Sequence, residues 1–142
     1  MDKTKGFTKP ETAQLVPPDQ KDAVDRIVAA GMKIMYSPEM RDDVVQAATS
    51  KDPTPQKLAK SIVGLLLILD DRAKKSGGIP VGAMLWAAVE LLGEACEVLA
   101  AMGQKVTMDD YHTALQLITV MAAKKMGATD EQIMALEKQG VA

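Results

Sequence analysis

From residue 24 onward the apolar positions return every three or four residues, as Val24, Ile27, Val28, Gly31, Ile34 and Met35 do, which is the spacing of one face of an α-helix. The period restarts five times, each time after a break made of proline, glycine and capping residues. Ser37-Pro38, Thr54-Pro55 and Pro80 open helices, since proline suits the first helical positions and a hydroxyl can cap the free amides. Gly77-Gly78, Gly103 and Gly127 close them. Thr107-Met108-Asp109-Asp110 is a capping box with Asp in place of Glu, and Thr129-Asp130-Glu131-Gln132 is a Thr-x-x-Gln box. The pattern predicts helices over about 19–36, 38–49, 54–75, 80–102, 108–126 and 130–139, with Asp19 as the first N-cap. No segment alternates with period two. The links are short, so the expected fold is all-α, a compact bundle of about six helices with a central hairpin of helices three and four.

Residues 1–18 have no helical period and contain Gly6, Pro10, Pro17 and Pro18. They read as an extended arm in front of a helical domain, 19–142. Composition agrees with one folded domain: 47% of the 142 residues are apolar and 25% charged, a globular balance. Aromatics are only 3% and methionines number ten, so the core must be built from Leu, Ile, Val, Ala and Met. The net charge of −2 offers no basic excess for a nucleic-acid backbone. A single cysteine, Cys96, leaves no internal disulfide and no Cys-rich zinc site. The polar start, Met1-Asp2-Lys3-Thr4-Lys5-Gly6, is not a secretory signal, so synthesis in the cytoplasm is expected.

Candidate chemistry is sparse. Ile62-Val63-Gly64-Leu65-Leu66-Leu67-Ile68-Leu69 is apolar on every face, which asks for burial all round, yet it is far too short to span a bilayer. In helix four, Trp86, Glu90, Glu94 and Glu97 form a stripe turned away from a seam of Leu85, Val89, Leu92, Cys96 and Leu99. That stripe reads as a solvated face or as an acidic strip that meets a basic strip on a neighbouring subunit. A carboxylate metal site is the third choice, because bundle sites of that kind pair Glu with His and His112 is the one histidine. His112 reads as a helix-surface residue oriented by Asp109, and Cys96 as an inert core residue. No catalytic residue, cofactor site or metal site is expected. The candidate interaction residues are Phe7, Leu15 and Val16 on the arm and Trp86, Glu90, Glu94 and Glu97 on helix four. Phe7, the only phenylalanine, stands among Lys3, Lys5 and Lys9 and needs a surface to bury it, expected on another copy.

The run from Thr54-Pro55-Gln56-Lys57 through Leu65-Leu66-Leu67-Ile68-Leu69-Asp70-Asp71, then Gly77-Gly78-Ile79-Pro80 and the Ala-Glu-Leu-rich fourth helix, resembles the small helical virion proteins of tailed bacteriophages. The resemblance covers about a third of the chain and includes no diagnostic motif. It implies a non-enzymatic structural or assembly role in the particle, in many copies, with other copies and other virion proteins as partners and arms or helices exchanged between neighbours. Two other readings fit the same residues. One is a membrane-active protein of the ejection type, whose helices three and four enter a bilayer; the other is a small helical adaptor or regulator that binds a host protein.

Overall fold

Helix boundaries follow from where backbone amides and carbonyls lose their partners, and the chain supplies those partners unevenly. In the computed structural model, residues 7, 9–11, 15–127, 129–132 and 134 are described, the side chains at 39, 41, 44, 45, 47, 48, 76, 123 and 126 excepted. Five helices run in order: α1 Lys21–Met35, α2 Pro38–Thr49, α3 Thr54–Ala73, α4 Val81–Ala101 and α5 Met108–Met126. No strand occurs among the described residues. The best-marked ends are those that the pattern predicts. At α5 the Thr107 hydroxyl accepts from the Asp110 amide at 3.1 Å while the Asp110 carboxylate accepts from the Thr107 amide at 3.0 Å. The same reciprocal pair joins Thr129 and Gln132, and 130–132 are helical. Residue 134 is helical too, and the other residues of the expected sixth helix, 133 and 135–139, lie outside the described residues. After α4, Gly103 takes a left-handed φ of +89°, so its amide reaches the Ala100 carbonyl and the Gln104 amide the Leu99 carbonyl, both at 3.0 Å.

Other starts differ from expectation. α1 begins after Gln20, and Asp19 does not cap it; no side chain does. Ser37 donates its hydroxyl backwards to the Ile34 carbonyl at 2.7 Å, finishing α1 instead of capping α2. At α3 and α4 the residue before the first helical one is itself a proline, Pro53 or Pro80, in an extended conformation, so Thr54 already lies inside the helix. The fixed φ of proline directs the chain into these two helices where a hydroxyl or carboxylate does so at α5.

α4 is the axis of the molecule. Every residue from Ala83 to Val89 is buried, so this stretch is covered on all sides. α1 and α3 both pack on it, and α3 packs most extensively on α5. α3 and α4, the pair expected as the central hairpin, pack on each other, and each packs on α1 and α5 as well. Gly31 makes the α1–α4 contact close: a Cβ there falls 2.8 Å from both methyls of Leu91. α3 is not buried all round as its apolar run suggests. Leu58, Ile62, Leu65, Leu66 and Leu69 point inward, while Gly64 and Leu67 face out. Lys57 is buried at the edge of the core, its stem among apolar side chains and its ammonium at 3.4 Å from the Gln104 amide oxygen and 3.5 Å from the Ser50 carbonyl. Among the described residues no helix is long and apolar enough to cross a membrane.

Candidate functional site

A glutamate every three or four residues on α4 builds a ridge of like charge, which by itself destabilises a helix. Glu90, Glu94 and Glu97 lie on one face, and Gly93 sits between them on the same face. The missing side chain of Gly93 leaves a notch, and the N-terminal segment crosses there. The aliphatic stem of Lys9 lies in the notch, so close that a Cβ on Gly93 falls 2.6 Å from its Cγ and 2.8 Å from its Cδ. The ammonium of Lys9 then straddles two carboxylates, 4.0 Å from Glu90 and 3.9 Å from Glu94. The Lys9 backbone amide donates to Glu97 at 3.4 Å. All three glutamates thus meet one lysine, and the side chains of Glu90 and Glu94 are only 17% and 12% exposed.

Two residues before Lys9, Phe7 is buried and stacks on Tyr111 of α5, with ring centroids 5.4 Å apart and planes inclined by 29°. On the outer side of the ridge the Tyr36 hydroxyl, beyond the end of α1, is hydrogen-bonded to Glu94; partial burial of the phenol raises its pKa, and the charges of Glu94 and Glu97 add to the rise. Burial likewise pushes the Tyr111 phenol up, helped by Cys96 and Glu90. Cys96 is fully buried beneath, and burial, with smaller effects from Asp110 and Glu97, pushes its thiol up to about 12. It is a neutral core group, not a nucleophile. His112 is exposed and meets Tyr111 edge-on at 5.5 Å. Among the described residues no three His, Cys, Asp or Glu side chains converge to hold a metal ion.

The structure brings Phe7, Glu90, Glu94 and Glu97 into one site and separates the remaining candidates from it. Trp86, expected on the solvated stripe, is 3% exposed and belongs to the core. Its large apolar surface outweighs the helical register that aligns it with the glutamates. Val16 is buried in the same core and Leu15 packs against it. The glutamate ridge is not bare: Lys9 of the same chain covers it. Lys3 and Lys5 lie outside the described residues. Sequence reasoning missed Gly93, Tyr36 and Tyr111. A glycine inside a helix at the third position after Glu90 is the one available signal for the notch, since glycine costs a helix about 1 kcal/mol relative to alanine and needs a compensating contact.

The site thus holds two residues of the chain's own N-terminal segment, with Tyr111 as a stacking platform for Phe7 and an acidic notch for Lys9. The chain matches no known protein family, no curated protein and no solved structure.

Proposed function

We propose that the chain is a non-enzymatic assembly subunit of a tailed-phage particle, working by helix packing and by docking of its N-terminal arm, residues 1–18, ahead of a helical domain whose sixth helix spans about 130–139. The observation that carries this reading is the seat itself: Phe7 on Tyr111 and Lys9 across Gly93 between Glu90 and Glu94. Every contact in it joins the arm to the helical domain and none depends on which copy the arm comes from. An arm hinged at Pro17-Pro18 can leave its own seat and fill that of a neighbour with the same contacts, so exchange between copies costs little once copies are concentrated. The same contacts serve a monomer in cis and a particle in trans.

Deleting residues 2–16 is expected to leave an all-helical far-UV spectrum and a cooperative transition while weakening assembly, with Phe7→Ala reproducing much of the defect. Mass spectrometry of purified particles is expected to find the chain in many copies. A truncated chain that is incorporated as well as the full one, or particles that lack the chain, would remove this function.

A further inference from the structure

A second surface, distant in role from the arm seat, lies where α1 runs beside the end of α3. Between them is an open groove of about 780 Å³. Its floor is formed by half-buried isoleucines, Ile34 from α1, Ile68 from α3 and Ile79 from the turn before α4. Its rims are cationic on both walls: Arg26 and Lys33 on α1, Arg72 on α3. No carboxylate lines it among the described residues. Arg26 is held by Asp22 at 3.1 Å, whereas Lys33 and Arg72 form no ion pair among the described residues.

The walls decide what can bind. Both are helices whose backbone groups are used internally, so they offer no edge on which an extended strand could form hydrogen bonds. Recognition must come from side chains. Along α1 the lining positions recur as Ile27, Ala30 and Ile34, a trough of about two turns, or roughly 10 Å. This matches the i, i+3, i+7 anchors of a helix laid lengthwise. Cations on both rims flank that stripe on either side, so the complementary surface is an apolar seam bordered by carboxylates.

We infer that this groove docks an acidic amphipathic helix of a partner protein, its apolar stripe on Ile34, Ile68 and Ile79 and its flanking carboxylates on Lys33 and Arg72. The isoleucines supply the buried area, and the cations set orientation and on-rate. The inference is independent of the arm seat, since no residue is shared.

The probe is a labelled synthetic helix of about 18 residues with leucine anchors at i, i+3, i+7 and glutamates on both flanks, beside its lysine-flanked counterpart. Fluorescence anisotropy with the full chain is expected to show the glutamate peptide binding at least about tenfold more tightly than the lysine one. About 0.5 M NaCl should erode the difference, and the double reversal Lys33→Glu/Arg72→Glu should invert the preference. Both substitutions are on exposed side chains, and a circular-dichroism melt confirms folding. Equal binding of the two peptides, no binding at millimolar peptide, or unchanged preference in the reversed variant overturns the inference. So does sedimentation showing that the reversal breaks a dimer, which would make a second copy the occupant.

Discussion

Three glycines in helix interiors look alike in the sequence and differ in what surrounds them. Gly64 has open space where its Cβ would be, so Gly64→Ala should stabilise by about 0.5–1 kcal/mol through backbone entropy alone. At Gly31 the new methyl meets both methyls of Leu91 at 2.8 Å, and Leu91 is fully buried, so overpacking should outweigh the propensity gain. A net loss of about 1–2 kcal/mol is expected. Urea midpoints of the two variants should move in opposite directions; a shared direction would show that α1 is free to shift on α4. Gly93→Ala is the third case. Its methyl displaces the Lys9 stem and strengthens α4 as a helix, so the arm should loosen while the domain keeps its melting temperature. Chymotryptic cleavage after Phe7 measures this, and an unchanged cleavage rate argues against the notch as the seat.

Helix ends show a similar split between chemistry that is local and chemistry that is not. The capping box at Thr107 is complete within four residues, so its geometry follows from the sequence alone. Thr107→Ala should cost about 1 kcal/mol, since it strands the Asp110 amide. Asp19→Ala should cost almost nothing, because no side chain caps α1. Comparable losses for the two in thermal melts would mean that α1 extends one turn further in solution. The interior of α4 is decided by neighbours. Its apolar residues cover all faces from Ala83 to Val89, which separates it from α3, where the equally apolar Leu67 stays 37% exposed. Hydrophobicity ranks both helices as core elements, but only one position in the bundle can be enclosed on every side.

At the scale of the molecule the buried acids govern the alkaline limit of stability. Cys96 and Tyr111 have their pKa values raised chiefly by burial, so the unfolded chain loses these protons before the folded one does. The contribution of Cys96 is complete below the ordinary thiol value of 9.0 and is lost as pH rises toward about 12, and that of Tyr111 begins to be lost only above the ordinary phenol value of 10.0. Urea midpoints should therefore fall steadily above about pH 9, and Cys96→Ala should flatten part of that fall. A flat profile in the parent chain would mean that water reaches both groups. The arm seat should respond to salt in the same pH range without melting the bundle, because its ion pairs are partly exposed.

The periodicity, the prolines, the glycines and the two capping boxes determined the helical class and the positions of five helices, because each acts within a few residues of itself. The candidate site was half legible: Phe7 needed a surface, which its type and position show, whereas Glu90, Glu94 and Glu97 read as a solvated face or as an acidic strip in need of a basic one. That the two needs answer one another through Lys9 on Gly93, that Trp86 turns into the core, and that Tyr111 and Tyr36 flank the ridge were decided only by tertiary structure. Lys9 and Glu97 are separated by 88 positions, and no local rule links residues so far apart. Their meeting is set by how α4 and α5 pack and by where a missing Cβ lets the aliphatic stem of Lys9 enter.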